Sequence, residues 1–114
     1  MPDNVLENWQ VQVRKGLLEL CVLNALREER QYGYDIVKQL RMLDGLVIGE
    51  GTIYPILSRF RKQGLVESMI EESPDGPARK YYRLTSQGRK AVTLMNEVWD
   101  KIHHGVCALR GEKK

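Results

Sequence analysis

The sequence has few cysteines and no long apolar run. Its two cysteines, Cys21 and Cys107, lie far apart among apolar neighbours. They fit neither a disulfide framework nor a zinc cluster, which needs about four closely spaced ligands, so we expect both thiols to be reduced. No stretch approaches the ~18 uninterrupted apolar residues of a membrane span, and Asp3 and Glu7 stand where a secretory signal would carry Lys or Arg. We therefore expect a cytoplasmic protein without membrane contact.

The sequence also lacks the combinations of residues that form common catalytic sites. We find no phosphate-binding glycine loop, no nucleophile elbow and no Cys/His pair in separate elements with an orienting acid. His103 and Cys107 are four residues apart, with His104 beside them, but two ligands do not close a metal site. We expect no enzymatic activity, no cofactor and no metal.

The composition is that of a small globular protein. The chain has 114 residues, of which 42% are hydrophobic and 29% charged. This length accommodates one compact domain with one core, and the hydrophobic content argues against intrinsic disorder.

Apolar spacing predicts a mainly α protein with one small β-hairpin. Leu46-Val47-Ile48 forms a short β-prone run, and Gln31-Tyr32-Gly33 is expected to turn. Gly16, inside the first helix, marks either the start of its packed segment or a close contact with another backbone. The predicted elements are a helix over Val5–Glu29, a helix over Tyr34–Leu43, a helix over Thr52–Gln63, hairpin strands over Leu65–Ser73 and Arg79–Leu84, and a last helix capped by Thr85.

Several details of these elements follow from local chemistry. If Thr52 is the N-cap of the third helix, Pro55 occupies the third helical position, where the missing N–H is tolerated. Gly64 supplies the C-terminal stop. The hairpin is expected to have a floppy tip over Pro74–Ala78, and Tyr82 and Leu84 are its expected core residues.

The net charge of +3 conceals a strong segregation. Residues 51–64 carry three basic groups and residues 79–90 carry five, both without an acid, whereas residues 65–78 carry four acidic groups. One basic segment is a short helix and the other includes a hairpin strand. This pattern is typical of a protein that follows DNA phosphates with a helix and a wing, although solvated faces alone could also produce it.

The spacing of the second and third helices predicts a helix-turn-helix. The third helix would bury Ile53, Ile56, Leu57 and Phe60 and turn its other side toward a DNA major groove. We expect DNA contacts from the outward residues of this helix and from the tip of the wing, namely Thr52, Tyr54, Pro55, Ser58, Arg59, Lys62, Arg79 and Lys80.

The last helix carries an apolar stripe that predicts a homodimer. About 25 residues at ~1.5 Å each give a rod of roughly 37 Å, longer than so small a domain is wide. A projecting apolar stripe is most simply buried against a second copy of the chain. Its positions, which step by three and four, are Val92, Met95, Trp99, Ile102, Val106 and Leu109.

Several linked motifs resemble the PadR family of winged-helix transcriptional regulators. The resemblance covers about Lys15 to about Leu109. Its main motifs are Gly51-Thr52-Ile53-Tyr54-Pro55-Ile56-Leu57-Ser58-Arg59-Phe60, Gly64-Leu65-Val66, Arg79-Lys80-Tyr81-Tyr82-Arg83-Leu84-Thr85 and Gly88-Arg89, with Lys15-Gly16-Leu17-Leu18-Glu19-Leu20 and Tyr32-Gly33-Tyr34-Asp35-Ile36 upstream.

The resemblance implies a dimer on a near-palindromic operator that usually represses and is released by a small phenolic or other aromatic effector. It also implies that the start of the first helix, with Leu6, Trp9 and Val13, shares the dimer interface. Trp99, with Met95 and Trp9, is then either a sandwich for a flat aromatic ligand or only interface packing.

The sequence therefore predicts a winged helix-turn-helix over residues 1–84 and a dimerisation helix over residues 85–114, within one compact body. The predicted function is that of a dimeric repressor that binds double-stranded operator DNA. Two alternatives remain: a winged-helix adaptor for protein partners, and a small-molecule sensor with weak DNA binding.

Overall fold

The computed structural model describes residues 3–46 and 50–112, which form four helices and three strands. Their order is that of a winged helix-turn-helix followed by a long helix, so the predicted fold class is confirmed. Val47 and Ile48 of the predicted β-prone run lie outside the described residues. The elements are α1 (Asp3–Ala25), β1 (Gln31–Tyr32), α2 (Gly33–Arg41), α3 (Glu50–Lys62), β2 (Val66–Ser73), β3 (Gly76–Leu84) and α4 (Ser86–Leu109).

Helix α1 runs without a break through Gly16 and ends at Ala25, four residues before the predicted end. The first buried residue of α1 is Leu18, with Leu17 partly buried before it, so the packed segment of the helix begins directly after Gly16, in agreement with one of the two interpretations. In the part of the chain that the structure describes, no atom outside the adjoining turns of α1 lies within 4 Å of the position that a Cβ on Gly16 would occupy. The other interpretation, a close contact with a neighbouring backbone, is therefore wrong within the protomer. Gly16 lies on an open groove between α1 and α4.

The segment predicted as a turn contains a short strand, β1. Gln31 pairs with Tyr82 and Tyr32 with Tyr81, so the sheet has three antiparallel strands in the order β1-β3-β2. Helix α2 begins directly after β1 at the buried Gly33. A Cβ on Gly33 would lie 3.0 Å from Cε1 of Tyr54, so the bare backbone lets α3 approach the start of α2.

Helix α3 begins at Glu50, two residues earlier than predicted. Thr52 is therefore a residue inside the helix and not its N-cap, and Pro55 is the sixth helical residue instead of the third. At that place the proline lacks an N–H that would otherwise donate to the carbonyl four residues before it. The predicted stop at Gly64 is confirmed by its φ of 79°.

The wing is formed by β2 and β3, and its tip is tighter than predicted. Strand pairing continues to Ser73 and Gly76, which leaves only Pro74 and Asp75 as the connection. The expectation of a floppy five-residue tip was therefore wrong, because the strand register extends the ladder to the turn. An irregularity in the pairing between Glu71 and Ser73 accompanies this turn.

The core lies between α1, α2, α3, the base of the wing and the start of α4. Tyr82 and Leu84 of β3 are buried, as predicted. Burial raises the pKa of the Tyr82 hydroxyl. The fully buried aliphatic side chains are Leu18, Val22, Leu23, Leu26, Ile36, Val37, Ile53, Leu57, Val66 and Val92.

Helix α4 is capped as predicted, because the Thr85 hydroxyl accepts a hydrogen bond of 3.0 Å from the Gly88 N–H. It is 24 residues long and packs against α1, and the principal extents of the molecule are 54, 32 and 24 Å. Val92 is only 2% exposed and packs in the protomer's own core. It was predicted in the dimer interface, and that assignment is wrong because no surface of it remains for a partner.

No helix within the described residues is long and apolar enough to cross a membrane.

Candidate nucleic-acid interface

Helix α3 has one buried and one exposed face. Ile53, Ile56, Leu57 and Phe60 are buried, which confirms the predicted inward side. Residues that the sequence placed outward are exposed, namely Thr52, Tyr54, Pro55, Ser58, Arg59 and Lys62. Helical spacing sets Pro55, Ser58 and Lys62 opposite the buried residues. The helix thus presents a polar and basic surface of the kind that enters a major groove.

The two flanks of this face have different neighbours. On one flank, Nη2 of Arg59 lies 3.0 Å from Oε2 of Glu19 on α1, with both side chains partly exposed. On the other flank, the ring of Tyr54 approaches Gly33 at the start of α2. Arg61 is also exposed but was not among the predicted contacts, although the count of basic residues in this helix included it.

The predicted wing residues Arg79 and Lys80 are exposed. The Arg79 guanidinium lies over the Tyr32 ring at 5.2 Å, and the Lys80 ammonium lies 5.9 Å from the centre of the Tyr82 ring. Strand alternation directs Arg79 and Lys80 to opposite faces of the wing. The wing therefore carries a cation on each of its faces.

A group of tyrosines and cations that the sequence did not reveal covers the face of the sheet around Tyr32. The Tyr32 ring lies 5.9 Å from that of Tyr81, and the Arg30 guanidinium lies 4.5 Å from the centre of the Tyr81 ring. Arg30 also pairs with the Glu71 carboxylate. That hydrogen bond lowers the pKa of Glu71 below its usual value, even though partial desolvation opposes the change. These contacts attach Arg30 and β1 to the middle and outer part of the wing.

Trp99 and Met95, two of the three candidate effector residues, lie together between α1 and α4. They line a largely apolar groove of about 550 Å³ whose other members include Val13, Gly16 and Ile102. Trp99 also borders a second cavity of about 730 Å³, on the side of Cys21 and Asn24. Trp9 lies on α1 outside the lining of both cavities and is 60% exposed. The structure thus brings Met95 and Trp99 together, but not Trp9.

The proposed dimer contacts fall into buried and exposed groups. Met95 and Trp99 are partly buried against the core. Towards the end of α4, Ile102 is 53%, Val106 48% and Leu109 91% exposed. On α1, Leu6 and Trp9 are exposed and Val13 is half-buried.

His103 and Cys107 lie on one side of α4, with Nε2 and Sγ 3.7 Å apart. The His103 ring also packs beside the Trp99 ring, with centres 5.6 Å apart. Within the described residues no group of three or more His, Cys, Asp or Glu could hold a metal. Both cysteines are free thiols, and burial raises the pKa of Cys21.

Known proteins share this arrangement. Residues 22–94 match the PadR-like family of transcriptional regulators. A PadR-like transcriptional regulator from Bacillus cereus is 33% identical, with a TM-score of 0.79 over 90% of this chain and 99% of that chain. A PadR family regulator from Eggerthella lenta is 34% identical, with a TM-score of 0.79 over 94% of this chain and 93% of its own.

A curated relative agrees with the structural matches. A transcriptional regulator of Mycobacterium tuberculosis is 30% identical over 82 residues, which are 72% of this chain and 75% of the relative. Residues 22–94, which match the family, include the helix-turn-helix, the wing and the start of α4. The chain belongs to the PadR family of transcriptional regulators, which are DNA-binding proteins and not enzymes.

Proposed function

We propose that this protein is a homodimeric, sequence-specific repressor that a planar aromatic or phenolic molecule releases from its operator. The observation that carries the proposal is the apolar side of α4, which remains exposed at Ile102, Val106 and Leu109. An apolar stripe of this length on a projecting helix favours burial against a second copy. A dimer would present two α3 helices to one duplex.

The DNA contacts follow from the exposed face of α3 and from the wing. Thr52, Tyr54, Pro55, Ser58 and Arg59 face the major groove, where Arg59 reads a base edge, and Lys62 contacts phosphate. Arg79 and Lys80 contact the backbone or the minor groove. Half-sites about 34 Å apart, one helical turn, match this geometry.

The dimer interface comprises the end of α4 and the start of α1. The proposed residues are Met95, Trp99, Ile102, Val106, Leu109, Leu6, Trp9 and Val13. In this division, residues 1–84 bind DNA and residues 85–114 join the protomers. A repressor bound in this way occludes a promoter, and its place of action is the cytoplasm.

The effector would occupy the groove at Met95 and Trp99. The groove is largely apolar and its volume falls in the range of small-molecule sites, about 300–1,000 Å³. A flat aromatic molecule can stack on the Trp99 indole there. Because α1 and α4 line both the groove and the proposed interface, a ligand that separates them would alter the spacing of the two α3 helices.

The decisive experiment is a fluorescence-anisotropy titration against DNA upstream of the protein's own coding region, with random duplex of equal length as the comparison. We expect tighter binding to the upstream DNA and a steep loss of affinity with added salt. The Arg59→Ala variant should lose sequence preference, whereas Lys62→Ala should weaken both duplexes about equally. Equal losses on both duplexes for both variants would contradict this division of roles.

Effector binding is tested separately with the Trp9→Phe variant, in which Trp99 is the only tryptophan. We expect planar aromatic compounds to quench its fluorescence and to release operator DNA over the same concentration range. Quenching without release would favour a small-molecule sensor with weak DNA coupling. Absence of both would remove the effector from the proposal and leave the regulator unaffected.

A further inference from the structure

A cleft of about 360 Å³ separates α1 from the flank of α3 that carries Arg59. Arg14, Lys15 and Glu19 line it from α1, and Thr52, Ile56 and Arg59 line it from α3. Three of these side chains are cationic and one is anionic, so the cleft attracts anions. The distribution of charge along the chain did not reveal this cluster, because residues 1–50 have an excess of acidic groups.

Two of the cationic side chains have defined partners. Nη1 of Arg14 donates a hydrogen bond of 3.1 Å to the carbonyl oxygen of Leu46, just before α3. Arg59 is held by Glu19 at 3.0 Å. Lys15, the third cation, is exposed. The cleft therefore combines two oriented guanidinium groups with a lysine that extends into solvent.

The position of the cleft relates it to bound DNA. A helix with its side chains is about 10–12 Å wide, and the major groove is about 12 Å wide, so both flanks of an inserted helix border a phosphate strand. Thr52 and Arg59 are seven residues apart and therefore lie on the same flank of α3. A DNA strand that borders this flank of α3 would pass the opening of the cleft.

We infer that α1 is part of the DNA interface: Lys15 contacts a backbone phosphate at this cleft, and Glu19 positions the Arg59 guanidinium for the adjacent base edge. The inference rests on the proposed function, since it requires α3 to enter the major groove. Glu19 acts through Arg59 and is a positioning residue. A guanidinium has five N–H donors, so the bond to Glu19 leaves donors for a guanine edge.

The role of Lys15 is tested with Lys15→Gln. At 0.15 M salt we expect about a fivefold loss of affinity on operator and random DNA alike. The slope of log affinity against log salt should fall by about one. The matched control is Lys101→Gln on α4, which changes the net charge equally but should leave affinity and slope near those of the unmodified protein.

The role of Glu19 is tested with Glu19→Gln. Loss of the ion pair should lower the ratio of operator to random affinity about three- to tenfold, because Arg59 is no longer oriented. In an Arg59→Ala background the same substitution should leave the ratio unchanged. A carboxylate that only repelled DNA would instead, once neutralised, raise both affinities by the same factor, and that result would overturn the positioning role.

The outcomes separate this inference from the proposed function. If the unmodified protein binds neither duplex, both fail. If it binds, but Lys15→Gln retains its affinity and salt slope, the inference alone is overturned. Thermal unfolding of each variant shows whether it is folded, and because Lys15 is exposed, its substitution should leave the unfolding temperature nearly unchanged.

Discussion

Asn24 of α1 and Asn96 of α4 exchange two hydrogen bonds between their side-chain amides, each 2.9 Å long. Asn24 also donates to the Leu20 carbonyl at 3.0 Å. Both amides border the cavity next to Trp99. The pair therefore fixes the axial register of the two helices that line the proposed effector site.

We predict that the two amides are energetically coupled. Either Asn24→Ala or Asn96→Ala should lower the free energy of unfolding by about 1 kcal/mol, because each leaves a half-buried amide without its partner. The double substitution should cost less than the sum of the two. Urea denaturation of the four proteins in this cycle gives a coupling of about 0.5–1.5 kcal/mol, and strict additivity would refute the coupling.

A second prediction concerns Gly88 in the first turn of α4. A Cβ at this residue would lie 2.0 Å from the carbonyl oxygen of Leu65, and 3.2 Å from a methyl carbon of Leu84. The backbone at Leu65 or Gly88 must shift to make room for a methyl group there. We expect Gly88→Ala to lower the free energy of unfolding by about 1–3 kcal/mol, measured by chemical denaturation.

Gly51 provides the matched control for this prediction. It lies in the first turn of α3, and among the described residues nothing outside its own helical turn lies within 4 Å of its Cβ position. Gly51→Ala should therefore change stability by no more than about 1 kcal/mol and in the stabilising direction, since alanine favours the helix. Equal effects of the two substitutions would show that helix propensity, and not the contact with Leu65, decides the cost at Gly88.

A third prediction is a pH effect at the ion pair between Arg30 and Glu71 of the wing. Arg30 holds the pKa of Glu71 below the ordinary value of 4.5. The contribution of this ion pair to stability is present above pH 4.5 and is lost as the pH falls through the lowered pKa. Carbon-detected NMR titration of the Glu71 carboxyl group should show this low pKa.

The Arg30→Gln variant should move the pKa of Glu71 back toward 4.5, whereas Lys90→Gln, with the same change of net charge at a distant site, should not. A pKa of Glu71 that is the same in all three proteins would show that the ion pair is absent in solution. Because both side chains are exposed, we expect little effect on overall stability at neutral pH.

Local signals in the sequence were sufficient to predict a structural feature where a single residue decides the local backbone geometry. Thr85 caps α4 because its hydroxyl lies beside a free N–H at the helix start. Gly64 ends α3 because its positive φ suits glycine. Tyr82 and Leu84 followed from strand alternation. Each of these needs only neighbours along the chain.

Contacts between distant segments were not predictable in the same way. Strand β1 has two residues, too short for any periodicity, and forms only because β3 offers it an edge. The ion pair of Glu19 with Arg59 joins residues forty positions apart, which no spacing rule connects. Val92 fits the same apolar stripe as Val106, and only the packing of α4 on the body separates their roles.

The last prediction uses this contrast between Val92 and Val106. Val92 is fully buried within the protomer, so Val92→Ala should lower the free energy of unfolding by about 2 kcal/mol. Val106 is exposed and lies in the proposed interface, so Val106→Asp should leave the protomer folded, as circular dichroism would show, but place a charge where a second copy packs.

The oligomeric state of the Val106→Asp variant then tests whether Val106 lies in the dimer interface. Sedimentation velocity should find Val106→Asp monomeric and the unmodified protein dimeric at micromolar concentration. The monomer should bind a single half-site as well as before but lose most of its preference for the full operator, because only linked α3 helices gain from contacting both half-sites. If Val106→Asp still sediments with the unmodified protein, then α4 does not join the protomers at this position.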